Sequence, residues 1–138
     1  MKKLLFLLLL MPLYAFAQLP SVVSMEFTFM EPKVEKAIDP AQRQAISQVL
    51  FRGVHGTGCE TPLLTTDEDY WFATFPQYFD QLFNERRGRY ASFITGTSLV
   101  EKGKDSNGQK YVTLKVGVNI SALLSDLENH GVKRRFGL

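Results

Sequence analysis

From Val22 to Met30 apolar and polar positions alternate, with Val23, Met25, Phe27 and Phe29 on one side and Ser24, Glu26 and Thr28 on the other. A period of two describes a strand with one buried face, and Pro32 ends it because proline has no amide to donate. The period then changes. Asp39-Pro40-Ala41-Gln42 places a side-chain acceptor at a helix N-cap, proline at the first helical position and glutamine three residues after the cap. Ala41, Ala45, Ile46, Val49 and Leu50 follow at helical spacing, leaving Gln42, Arg43, Gln44, Ser47 and Gln48 toward water. Gly53, Gly56 and Gly58 close this helix and open a loop that carries His55 and Cys59 as far as about Thr66.

The next pattern is aromatic: Tyr70, Trp71, Phe72, Phe75, Tyr78, Phe79 and Phe83 crowd into one segment. Thr74 with Gln77 offers a capping box, and Phe75, Phe79, Leu82 and Phe83 share a helical face, so a helix to about Glu85 is predicted with Pro76 in its first turn. Beyond Gly88 two strands follow, Tyr90 to Lys102 and Lys110 to Asn119, joined through Asn107-Gly108, a hairpin signal. Val112, Leu114, Val116 and Val118 face one way, toward helices. Asn119 or Ser121 caps a last helix with Leu123, Leu124 and Leu127 as its buried stripe, Asp126 and Glu128 outside, and Gly131 at its end. The order β-α-α-β-β-α predicts an α+β domain, an antiparallel sheet with about three helices packed on one face.

A helix with alanines at 41 and 45 precedes a hairpin whose second strand reads Tyr111-Val112-Thr113-Leu114-Lys115-Val116-Gly117-Val118-Asn119. It is followed by a helix containing Leu123 and Asp126-Leu127. Over about half of the chain this layout resembles small exported bacterial envelope domains such as the N-terminal domain of flagellar assembly protein T. The resemblance implies a non-enzymatic role in assembly or interaction.

The first residues supply an address. Lys2 and Lys3 precede an apolar run from Leu4 to Leu13, and Ala15-Phe16-Ala17 has the small-x-small form of a signal-peptidase site. Residues 1–17 are thus expected to be a cleaved signal peptide, with one domain over 18–138 in the periplasm or secreted. The run is far shorter than the roughly 20 residues that cross a bilayer, so no transmembrane segment is expected in the mature chain. No cysteine follows the cleavage point to carry a lipid anchor.

That expectation changes the charge balance. The chain has 16 basic and 14 acidic residues; loss of Lys2 and Lys3 makes the counts equal, which lacks the basic excess of a nucleic-acid binder. The distribution is uneven, the segment from Gln18 to Asp69 being acidic and the rest basic. Such a split is either folded into contacts within the domain or presented as two partner surfaces. Hydrophobic residues make up 45% of the chain, enough for a packed core without staples. Cys59 is the single cysteine, so no internal disulfide forms, and its thiol leaves a Cys59-linked dimer open.

Candidate chemistry is sparse. Gly53-Val54-His55-Gly56-Thr57-Gly58 has the composition of a phosphate loop but follows a helix instead of preceding one. Cys59, His55 and His130 fall short of a recognisable zinc spacing, and Asp67-Glu68-Asp69 fits the negative first turn of a helix better than a calcium loop. No metal or other cofactor is expected. No enzyme is expected either, the weakest alternative being thiol chemistry at Cys59. Arg86, Arg87 and Arg89 form the densest basic cluster and are candidates for docking an envelope protein, whereas Trp71 and Phe72 mark the aromatic region 70–83 as a platform for a small apolar or carbohydrate ligand.

Overall fold

The computed structural model describes residues 19–65, 67–84 and 88–133. Its elements are β1 (Val22–Phe29), α1 (Val34–Phe51), α2 (Glu68–Thr74), α3 (Pro76–Phe83), a 3₁₀ turn (Arg89–Phe93), β2 (Ile94–Lys104), β3 (Lys110–Asn119) and α4 (Ile120–Asn129). The fold is α+β, as the patterning predicts. The signal-peptide segment and Arg86 and Arg87 lie outside the described residues.

The three strands stand in the order β1-β3-β2, all antiparallel, so the last strand in sequence is the central one. Val23 pairs with Val118, Met25 with Val116 and Phe27 with Leu114, bringing the apolar sets of β1 and β3 onto one face. Helices cover that face. Phe79, Ile46, Leu50, Leu82, Leu114, Leu123 and Leu127 are among the largest fully buried side chains beneath them. The opposite face stays polar, and across it Thr28 and Thr113 share a hydroxyl hydrogen bond of 2.7 Å. Alternation in β3 and the stripes of α1 and α4 thus meet in one core, which supplies the main driving force for folding.

Three boundaries depart from the expected ones. The first helix starts at Val34, not after Asp39, and carries Pro40 inside it. An interior proline ordinarily costs about 3 kcal/mol, but the extra turn buries Ala37 and packs Val34 and Ile38 against the core. Asp39 is thereby released from capping. The aromatic helix is broken in two at Phe75, where Pro76 opens α3 at its first position. Thr74 takes no part in a capping box, its hydroxyl donating to the Tyr70 carbonyl at 2.7 Å. Finally, Tyr90 to Phe93, read as the start of a strand, form the 3₁₀ turn, and β2 begins at Ile94.

Elsewhere local signals hold. Asp67 caps α2 by accepting from the Asp69 amide, and Asn119 caps α4 by accepting from the Ala122 amide at 3.0 Å. Gly53 ends α1 at φ 81°, where a Cβ would lie 2.0 Å from the Glu60 carbonyl oxygen. The loop after it folds back through the Val54–Cys59 bridge, and the Leu63 and Leu64 amides donate to the Val49 and Leu50 carbonyls of the helix end. Among the described residues no helix is long and apolar enough to cross a membrane.

Candidate binding surfaces

The aromatic region is built chiefly as core. Phe79 is fully buried and Tyr78 nearly so. Phe72 is half-buried, its ring centroid 5.1 Å from that of Phe79, 5.9 Å from Phe51 and 6.0 Å from Phe83. Trp71 stacks on Phe75 at 6.0 Å and meets Tyr70 edge-on at 5.1 Å. Tilted and edge-to-face rings at these separations are the arrangements that aromatic quadrupoles favour. The two predicted platform residues therefore diverge: Phe72 packs toward α1, and Trp71 belongs to a partly exposed stack.

Phe72 does line a cleft. With Phe83 it faces Arg43, Arg52, Ser47 and Glu68 across a space of about 340 Å³. Its walls are the outer side of α1 and the edges of α2 and α3, which place two arginines, the Glu68 carboxylate, polar side chains and two rings around the space. Trp71 is not part of it.

Arg89, expected to dock a partner, is engaged within the fold. Its guanidinium donates to the Asp126 carboxylate and lies 5.8 Å from the Tyr78 ring centroid. The Tyr78 hydroxyl donates to the other oxygen of Asp126 at 2.7 Å. Burial pushes the Tyr78 hydroxyl well above its ordinary value, and the adjoining carboxylate adds to the effect. Asp126 does not sit on the outer side of its helix, as its polarity suggests. Three residues from Leu123, it flanks the buried stripe, and that spacing was the available signal.

The same arrangement recurs. The Tyr90 hydroxyl and the Arg43 guanidinium both donate to Asp39, and Arg43 lies 5.5 Å from the Tyr90 ring centroid. Burial, then the Asp39 hydrogen bond, raises the Tyr90 hydroxyl too. Consecutive residues Arg89 and Tyr90 thus tie the 3₁₀ turn to α4 on one side and α1 on the other. Gly88 allows this turn its close approach, since a Cβ there would stand 2.5 Å from the Tyr90 ring and 2.6 Å from the Asn84 carbonyl oxygen.

Cys59 is 1% exposed. Burial pushes its thiol up, the opposite of the shift that activates a nucleophile, and leaves the sulfur away from the surface where another copy could reach it. His130 is spoken for: its Nδ1–H donates to the Asp126 carbonyl at 2.8 Å, and its ring lies 5.3 Å from that of Tyr78. Among the described residues no group of His, Cys, Asp and Glu side chains converges as a metal would need. The glycine-rich loop sits at the C-terminal end of α1, where the helix dipole repels a phosphate.

Comparison with protein-family models, with curated proteins and with solved structures finds no match for this chain.

Proposed function

We propose that this protein is an exported, non-enzymatic interaction module of the cell envelope, acting in the periplasm or outside the cell by docking a protein partner. The observation that carries this reading is the state of β2. It is an edge strand, exposed along most of its length, with Leu99 at 48% and Val100 at 49% exposure. Two adjacent exposed aliphatic side chains on an uncovered edge strand give a partner an apolar contact.

Two further features support it. Both Asp–Arg pairs join residues of the same half of the chain, Arg43 to Asp39 and Arg89 to Asp126, so neither uses the opposite charge of the two halves against each other. The tyrosines and carboxylates inside the fold are held in contacts that brace helices. The signal-peptide pattern read in residues 1–17 and the resemblance to small envelope domains agree with that compartment.

The test is site-specific photo-crosslinking in the cells that make the protein, with the crosslinker at Val100 and a control at Gln77 on α3. One recurrent partner captured from Val100 alone supports the module. Capture of nothing above background from Val100 would sink it. A second reading, a binder of a small ligand, draws on the cleft beside Phe72. It expects a small ligand retained in native mass spectrometry and lost from Arg52→Ala, which leaves the Arg43–Asp39 pair in place.

A further inference from the structure

Charges are placed oddly at the turn end of the β2–β3 hairpin. Lys104 stands directly opposite Lys110, and Lys102 directly opposite Val112. Cross-strand partners share a face, so three lysines occupy the side of the sheet that helices cover elsewhere; here all three are exposed. Like charges directly opposite destabilise a strand pair. Among the described residues none of the three is in an ion pair. The nearest carboxylates in sequence are engaged otherwise: Glu101 accepts the Tyr111 hydroxyl at 2.8 Å, and Asp105 accepts the Asn107 and Gln109 amides of the turn at 2.9 Å each.

These lysines rim a concavity with an apolar floor. One cleft of about 200 Å³ is lined by Pro32, Val112 and Tyr111 together with Lys102, Lys104 and Lys110. A second, of about 300 Å³, shares Pro32 and Lys110 with it and adds Met30, which is 53% exposed. No aspartate or glutamate lines either one. A positive rim around an apolar hollow is complementary to carboxylates flanking an apolar side chain.

Pairing of a partner strand along β2 fits less well. The β2–β3 register shifts between Ile94 and Gly96 and again between Leu99 and Glu101. Bulges of this kind interrupt the run of backbone groups that an added strand needs, and edge charges oppose it further. The surface recognises side chains.

We propose that the lysine-rimmed hollow at the hairpin end is the docking site for an acidic segment of a protein partner, one apolar side chain entering beside Pro32 over Val112 and its flanking carboxylates meeting Lys102, Lys104 and Lys110. This rests on the interaction-module reading and names the chemistry of its partner.

The experiment titrates isotope-labelled protein with the peptide acetyl-Asp-Glu-Leu-Asp-Glu-amide and, separately, with its all-lysine counterpart and with phosphatidylglycerol vesicles, following amide shifts. The acidic peptide is expected to give saturable shifts at Met30, Lys102 to Lys104 and Gln109 to Val112, weakening as salt rises. The double substitution K104E/K110E should weaken it by about tenfold or more. Lys110→Glu alone should raise the melting midpoint by about 1–2 °C at low salt, because it replaces a like-charge pair with an opposite one. Three results would overturn the proposal: no saturable shifts in the hollow, shifts indifferent to K104E/K110E, or binding of vesicles without binding of the peptide. A partner still captured from Val100 in the K104E/K110E protein refutes the hollow and leaves the module standing. Absence of any partner in the unsubstituted protein refutes the module.

Discussion

Two groups of charged residues sit at opposite fates in this molecule. In the Tyr78–Arg89–Asp126 and Tyr90–Arg43–Asp39 clusters every charge has an opposite partner, and a tyrosine hydroxyl completes the set. At the hairpin end Lys102, Lys104 and Lys110 are gathered on one face without a counter-charge among the described residues. The first arrangement braces helices around the 3₁₀ turn. The second sets like charges opposite each other and is slightly unfavourable to the fold. The arginines next to the aromatic helix form the densest basic run in the sequence, yet the one of them that the structure describes, Arg89, is tied to Asp126 within the fold; Lys102, Lys104 and Lys110 are among the basic residues outside any ion pair.

This contrast can be broken by substitution. Asp126→Ala should have the largest effect, a loss of about 2–3 kcal/mol in chemical denaturation, because it strips the acceptor from the buried Tyr78 hydroxyl and from Arg89 together. Asp39→Ala should cost less, about 1 kcal/mol, since the Asp39 side chain is 47% exposed against 14% for Asp126 and water can replace it. Equal costs would mean that burial does not distinguish the clusters.

The clusters also predict an alkaline limit. Tyr78 and Tyr90 are both held above the ordinary tyrosine value of 10.0 in the folded chain. Above that pH the unfolded chain releases their protons while the folded chain retains them, so stability is complete below pH 10 and falls as pH rises beyond it. In Tyr78→Phe the alkaline fall should be shallower, and an unchanged slope in urea titrations above pH 10 would contradict the account. At the hairpin side the expected effect is smallest: Leu99→Ser should change stability by under about 0.5 kcal/mol, while reducing capture of a partner by a crosslinker at Val100. A clear loss of stability there would make Leu99 part of the core and remove it from the interface.

How far the chain could be read from its letters differs by element. The alternation of β1 and β3 and the stripes of α1 and α4 were legible because burial on one face imposes a period that local sequence must obey. Caps at Asp67 and Asn119 were legible or nearly so, since each acts on an amide two or three residues away. Start and stop signals failed where a distant surface outweighed them. Asp39-Pro40 has the form of a helix start, but burial of Ala37 extends the helix back past it. Tyr90 has the propensity of a strand, but its hydroxyl reaches Asp39, fifty-one residues away in sequence, and holds the turn instead. The candidate site was hardly legible at all: Lys102, Lys104 and Lys110 look like ordinary solvated charges until the register is known.

The sequence by itself determined the α+β class, the apolar face of each element and the position of the hairpin, because all of these follow from patterns within about ten residues of one another. Only the tertiary structure decided which charges are paired. Pairing depends on which residues the sheet register and helix packing bring within hydrogen-bond distance, and that is a property of the assembled core, where Asp126 meets Tyr78 and Arg89 while Lys104 is set against Lys110.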